Sequence, residues 1–142
     1  LDVIGYGFYE KYYKDECKKL GLNNKVNFLG RLDKVEISKM FKHEHALVIS
    51  SELESFAIPG IEALASGIPV VATKCLGPEE YINDKNGALC EKNDVDSLKK
   101  AIIYMYNNYD KYDADYLRES VSMFSEEEVI KKAKSIYEEM VK

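Results

Sequence analysis

Residues 46–72 read ALVISSELESFAIPGIEALASGIPVVA, and the fold turns on how this stretch is parsed. Ala46-Leu47-Val48-Ile49 is an apolar run of the kind buried on both faces of a parallel sheet. A polar loop from Ser50 to Ile58 follows. Pro59 suits the first position of a helix, where its missing N–H would have no helical partner. That helix is expected to run to about Ala65 and to stop at Gly67. Pro69-Val70-Val71-Ala72 is a second buried strand. Strand, helix and strand in this order make a crossover unit, and such units stack into an open parallel sheet.

The pattern repeats on either side. Val3-Ile4 is strand-like and ends at Gly5-Tyr6-Gly7, with a helix from about Phe8 to Leu20 closed by Gly21. Val26-Asn27-Phe28-Leu29 is a strand ending at Gly30, and Glu36–Lys42 is a short helix. Downstream, a short helix is expected near Pro78 and a last small strand over Gly87–Cys90. Asp94 reads as the N-cap of a helix to about Asn107. A further helix covers about Tyr112–Ser122, and Ser125 with Glu128 forms a capping box for a helix to the C-terminus. The fold class expected is α/β: a Rossmann-like open parallel sheet with helices on both faces.

The chain has 142 residues, 46% apolar and 32% charged, which suits one soluble globular domain. Its net charge of −5 argues against a general affinity for nucleic acid or an anionic membrane. Cys17, Cys75 and Cys90 are widely spaced with no C-x-x-C, so neither a zinc knuckle nor a redox pair is indicated. Free thiols fit a reducing compartment. No stretch approaches the ~20 apolar residues of a membrane span. The chain begins at Leu1 rather than Met, in what reads as mid-strand, and is expected to be a fragment. Six of its 11 tyrosines lie between Tyr104 and Tyr137. They are read first as half-buried helix faces and second as a sugar-stacking or partner surface.

Ligands of open α/β sheets bind beyond the carboxyl ends of the strands. Gly5-Tyr6-Gly7 stands at one such exit, but a dinucleotide fingerprint needs glycine where Glu10 stands. The carboxylate has the wrong size and charge beside a pyrophosphate, so this is read as a tight turn using glycine's access to positive φ. The loop after Ile49 carries more chemistry. Amides of Phe56, Ala57 and Ile58 near a helix start make an anion site suited to a diphosphate. A carboxylate such as Glu62 accepts hydrogen bonds from a ribose diol. Spacing alone leaves the bland alternative open: Glu54 as a solvated loop residue, and Glu62 as a first-turn acid that favours the helix dipole.

The surroundings of these acids shift the balance. ESFAIPGIEALASGIPVVA, Glu54–Ala72, resembles the signature of the retaining glycosyltransferases of group 1, or family 4: Glu, seven residues, Glu, an apolar helix, then a G-x-P-V-V strand. Val26-Asn27-Phe28-Leu29-Gly30 is similar to that family's V-x-F-L-G strand exit. Gly77-Pro78-Glu79-Glu80 with Asn86-Gly87 is similar to its G-x-x-E-x-I…N-G stretch, and Phe124-Ser125 and Tyr137 resemble its last helix. The resemblance spans nearly the whole chain. It implies the C-terminal, nucleotide-sugar-binding half of a GT-B fold over residues 1–142. The N-terminal acceptor domain and this domain's first strand and helix, which carry an Arg/Lys pair for the diphosphate, are expected to lie outside the sequence. A donor site lacking that pair is expected to bind without turning over.

What the resemblance implies for the residues is specific. Glu54 contacts the transferred sugar near the reacting centre and is the catalytic candidate. Glu62 holds the ribose. Ser55, Phe56, Ala57 and Ile58 present the loop to sugar and diphosphate, with Ala57 standing where the family often has glycine. Arg31 and Leu32, with Asp33, fall where the nucleobase sits, and Gly77 and Glu80 line the same side. The donor is a nucleoside-diphosphate sugar such as a UDP- or GDP-sugar, with no metal or other cofactor. The acceptor is a saccharide or lipid-linked glycan held by the missing domain, with no nucleic acid partner. The setting implied is bacterial polysaccharide or glycolipid assembly in the cytoplasm, with peripheral contact at the inner membrane face through that domain.

Two D-x-D pairs, Asp94-Val95-Asp96 and Asp113-Ala114-Asp115, are read as a helix start and a polar helical tail rather than metal sites. His43-Glu44-His45 offers no third ligand for zinc. A GT-B epimerase and a non-catalytic nucleotide-sugar-binding module remain the alternatives. A signalling receiver is disfavoured, because Val48-Ile49-Ser50-Ser51 lacks the acidic strand end it needs.

Overall fold

Central strand β4 (Val70–Thr73) is buried at every position, with Val70, Val71 and Ala72 at 0% exposure. Full burial of a valine side chain contributes roughly 1.5–3 kcal/mol, so this short β-branched run is a natural nucleus for the layers around it. The computed structural model describes residues 1–141. These fall into two compact units, Leu1–Met40 and the chain from Phe41 onward.

In the first unit, β1 (Asp2–Ile4) and β2 (Asn27–Gly30) pair in parallel, Asp2 against Asn27 and Val3 against Phe28. The Asn27 amide donates to Asp2 Oδ1 at 2.7 Å. The chain leaves β1 through Gly5 at φ 121°, a conformation open to glycine, and its N–H donates to Gly30 O at 2.7 Å. Helix α1 (Glu10–Lys19) starts two residues later than expected. Helix α2 (Lys34–Phe41) starts two residues earlier than expected. The reason is a reciprocal capping box: Asp33 Oδ1 accepts the Glu36 N–H and Glu36 Oε2 accepts the Asp33 N–H, both at 2.8 Å.

The second unit is built on the parallel sheet β3 (Leu47–Ile49), β4, β5 (Gly87–Cys90), in that order. Leu47 pairs with Val70, and Val70 with Gly87. Because side chains alternate along a strand, β4 serves two faces. Val71 packs with Cys90 and with Ala101 and Met105 of α4 (Val95–Asn108). Helix α3 (Ile58–Ala65) packs on β3, β4 and α5 (Ala114–Glu119), where Ala63, Leu64 and Leu117 are fully buried. Helix α6 (Glu126–Met140) completes the chain, and its cap Ser125 Oγ accepts the Glu128 N–H at 3.4 Å.

Asp94 and Asp113 are both helix caps, Asp94 taking the Ser97 N–H and Asp113 the N–H groups of Asp115 and Tyr116. The short helix near Pro78 is a 3₁₀ turn, Gly77–Glu80.

Between that turn and β5 sits Asn86, at 0% exposure. Its Nδ2 donates to Tyr81 O at 2.8 Å and Ser120 Oγ at 3.1 Å, and its Oδ1 accepts the Asn83 N–H at 2.7 Å. Asn86→Leu keeps the branching of the side chain and removes all three bonds. It should lower stability by roughly 2 kcal/mol or more, since buried groups left unpaired cost 1–3 kcal/mol each. The urea midpoint of the intact protein checks this, and an unchanged midpoint contradicts it.

Candidate functional site

The chain leaves β3 at Ile49 and runs from Ser50 to Ala57 before α3 begins. This loop is stapled to the segment after β4. Thr73 Oγ1 donates to Ser51 O at 2.6 Å. The Glu54 N–H donates to Cys75 O and Glu54 O accepts the Gly77 N–H, each at 2.9 Å, which makes a one-residue parallel bridge between Glu54 and Leu76. The Glu54 backbone is thus fixed on both sides. Its half-buried carboxylate accepts the Ser51 hydroxyl at 2.9 Å.

The loop then turns sharply. Ala57, the residue before α3, adopts φ 56° and ψ 61°, a left-handed conformation that costs a residue with a Cβ roughly 1–2 kcal/mol. Three contacts hold it there. Ala57 is buried at 7% exposure. Its carbonyl accepts the Gly60 N–H at 2.9 Å and the hydroxyl of buried Tyr81 at 2.9 Å. Phe56 is fixed beside it by edge-on contacts with Phe124, at 5.2 Å between ring centres, and Tyr81, at 5.9 Å.

The consequence is a set of unpaired donors. No side chain caps α3. Among the described residues, the N–H groups of Ser55, Phe56, Ala57 and Ile58 have no acceptor. Orphan amides at a helix start, with the positive end of the helix dipole behind them, bind anions. Glu62 is the fifth residue of α3, so it lies in the second turn and not the first, and the reading of it as a first-turn dipole partner is corrected. It shares a helix face with Ile58, four residues earlier, and helical Cα–Cβ bonds tilt toward the N-terminus. Its partly exposed carboxylate makes no hydrogen bond or ion pair among the described residues.

Gly77 and Glu80 differ in kind. Gly77 is buried, and a Cβ there would lie 2.4 Å from Phe56 Cα and 2.5 Å from Phe56 N, so glycine lets the two backbones touch. Glu79, not Glu80, closes the turn, its carboxylate accepting the Leu76 N–H at 2.8 Å. Glu80 is exposed. Arg31 and Leu32 belong to the first unit, where they line an open concavity with Asp33, Lys34 and Glu36. Among the described residues no cluster of three His, Cys, Asp or Glu side chains could hold a metal ion.

Tyr81 and Phe124 are the loop's anchors, and the sequence gives little sign of it. Tyr81 stands in the x position of G-x-x-E-x-I, and no spacing rule connects it to a carbonyl 24 residues away.

Residues 1–120 match the family model of glycosyl transferases group 1, and the chain belongs to that family. A Haemophilus influenzae uncharacterized glycosyltransferase is 31% identical over 114 residues, covering 79% of this chain and 32% of its own length. Sucrose-phosphate synthase from Thermosynechococcus elongatus superposes with a TM-score of 0.86 at 22% identity, over 99% of this chain and 38% of that one. Anabaena HepE, solved in complex with UDP, gives 0.75 at 25% identity, over 99% and 40%. The fold is therefore the Rossmann-like α/β architecture of GT-B glycosyltransferases. The chain spans about a third of the length of the curated relatives it matches.

Two outcomes test the loop. Gly77→Ala should cost roughly 1–3 kcal/mol by forcing the Phe56 backbone aside, while Gly7→Ala, with nothing within 4 Å, should be near neutral. Equal urea midpoints for the two variants contradict this.

The second outcome follows from Tyr81. Its pKa is pushed up to about 12, first by burial and then by Cys75 and Glu54 nearby. An unfolded tyrosine titrates near pH 10. The folded state therefore keeps a proton that the unfolded state releases, and this stabilisation is complete below pH 10 and lost as pH rises from about 10 to about 12. Stability measured across that window should fall less steeply in Tyr81→Phe than in the wild type; identical slopes contradict the assignment.

Proposed function

We propose that this chain is the C-terminal, donor-binding domain of a two-domain retaining glycosyltransferase, and that the loop Glu54–Ile58 with Glu62 is its donor site. The observation that carries the reading is the row of unpaired amides from Ser55 to Ile58 at the start of α3. Four oriented donors without an internal acceptor suit the diphosphate of a nucleoside-diphosphate sugar. A UDP- or GDP-sugar is the donor class, and the UDP complex of Anabaena HepE is in keeping with it.

The chemistry follows from where charge develops. The bond between the anomeric carbon and the diphosphate oxygen breaks as a bond to an acceptor hydroxyl oxygen forms on the same face of the sugar, and the acceptor's hydroxyl proton passes to the departing diphosphate. Negative charge grows on the departing oxygen while the anomeric carbon gains oxocarbenium character. Amides already aimed at the diphosphate stabilise that charge without reorganising, an effect often dominant in catalysis. A metal ion is then not required. Glu62 accepts the ribose hydroxyls. Glu54, its backbone pinned to the segment after β4, accepts hydroxyls of the transferred sugar. Gly77 and Glu80 border the donor. The acceptor, a saccharide or lipid-linked glycan, is held by a further domain, and the reaction serves polysaccharide or glycolipid assembly at the cytoplasmic face of the membrane.

The two glutamates are separable by experiment in the full-length protein. Glu62→Ala should weaken binding of UDP or GDP by roughly 1.5–3 kcal/mol, the scale of hydrogen bonds to a charged group, as read by calorimetry. Glu54→Ala should lower kcat more than it lowers donor affinity, because its contacts matter most at the reacting centre. Unchanged nucleotide affinity in the first variant removes the ribose role, and wild-type turnover in the second removes the role of Glu54.

A further inference from the structure

A second concavity, of about 400 Å³, opens in the second unit where the C-terminal part of α4 meets the loop before β5. Tyr104, Tyr112 and Tyr116 line it together with Asp84, Lys85 and Asn108. Asp84 and Lys85 precede β5, so this hollow lies at the amino ends of the parallel strands. The donor loop leaves the carboxyl end of β3, at the opposite end of the same sheet. The tyrosine-rich run that the sequence displays between Tyr104 and Tyr137 thus contributes three rings to one wall system.

The chemistry of the lining selects a ligand class. Tyr104 is 53% exposed and Tyr116 37% exposed, so both offer aromatic surface. Such rings accept the apolar C–H face of a pyranose while leaving its hydroxyls free. Lys85 Nζ lies 5.7 Å from the centre of the Tyr116 ring, and Lys111 Nζ is held by Asn108 Oδ1 at 2.8 Å. Both cations are therefore engaged. Two acids, Asp84 and Asp113, balance them, so the hollow carries no net charge to attract a phosphate or a carboxylate.

Its acceptors are nevertheless available. The Asp84 carboxylate has no partner among the described residues. Asp113 uses only Oδ1 in capping α5. Carboxylate oxygens are acceptor-only and choose hydroxyl-rich ligands. Tyr112 forms part of the wall, its hydroxyl donating to Gly87 O at 3.5 Å. Burial first, then Tyr104 and Asp84 nearby, push its pKa up, so its hydroxyl keeps its proton.

We propose that this hollow is a saccharide-binding site, separate from the donor loop, that takes a neutral pyranose unit of a glycan chain. Aromatic surface, unpaired acceptors and balanced charge meet the needs of a neutral sugar better than those of a nucleotide. A site of this kind at the far end of the sheet keeps a polymeric acceptor or product near the enzyme by raising its effective concentration. The proposal does not depend on the donor-site assignment.

Saturation-transfer NMR on the full-length protein tests it with maltohexaose, cellohexaose and chitotetraose as probes, each with and without saturating UDP. At least one saccharide should receive magnetisation from the protein, and UDP should leave that signal in place. Tyr104→Ala and Asp84→Ala, both exposed positions, should each reduce it five-fold or more without shifting the melting temperature. The proposal is overturned if none of the three saccharides gives a signal, if UDP abolishes it, or if it persists undiminished in Tyr104→Ala. Should one of the variants melt early, the other alone decides by the same criterion.

Discussion

The hydroxyl of Tyr81 reaches the carbonyl of Ala57 at 2.9 Å from inside the fold, and the shape of the loop before α3 depends on that contact. A residue with a Cβ does not rest comfortably at φ 56°, and the strain persists only because surrounding structure over-determines it. Tyr81 supplies one restraint, the Gly60 N–H another, and burial of the Ala57 methyl a third. With the turn held, the amides before α3 have no acceptor among the described residues. Without it, the chain could relax into ordinary backbone geometry and satisfy those donors within the protein.

The restraint extends outward in layers. Phe124, from the chain between α5 and α6, packs against both Phe56 and Tyr81. Gly77 allows the Phe56 backbone to lie against it, and its N–H donates to the Glu54 carbonyl. Asn86 anchors the far side of the same segment by accepting from Asn83 and donating to the Tyr81 carbonyl. The loop is therefore carried by residues that follow β4, while β3 merely delivers it. In an open parallel sheet this is a natural division of labour: one strand end presents the loop and the next strand's exit stiffens it.

Much of this was legible in the residues. The apolar runs at Ala46–Ile49 and Pro69–Ala72 carry the strands β3 and β4, of which β4 is buried at every position and β3 only at Ile49, and the helix between them is announced by Pro59 and ended by Gly67, at φ 82°. α2 starts ahead of the expected Glu36 because Asp33 and Glu36 cap each other reciprocally. Glu62 falls in the second turn because α3 begins at Ile58, ahead of the proline. The roles of Tyr81, Phe124 and Asn86 were hidden for a different reason. Tyr81 reaches Ala57 24 residues away and Asn86 reaches Ser120 34 residues away, and neither periodicity nor local turn chemistry encodes a contact of that range. The family signature marked the loop, but the physical basis of its shape lay outside the signature.

The central claim is that the amides of Ser55 to Ile58 receive the diphosphate of the donor. A crystal structure of the full-length protein with UDP or GDP tests it most directly. Phosphate oxygens are expected at hydrogen-bonding distance, about 2.7–3.2 Å, from at least two of these four nitrogens, with the ribose on the Glu62 carboxylate. A nucleotide bound with its diphosphate elsewhere, and these amides still facing water, would contradict it.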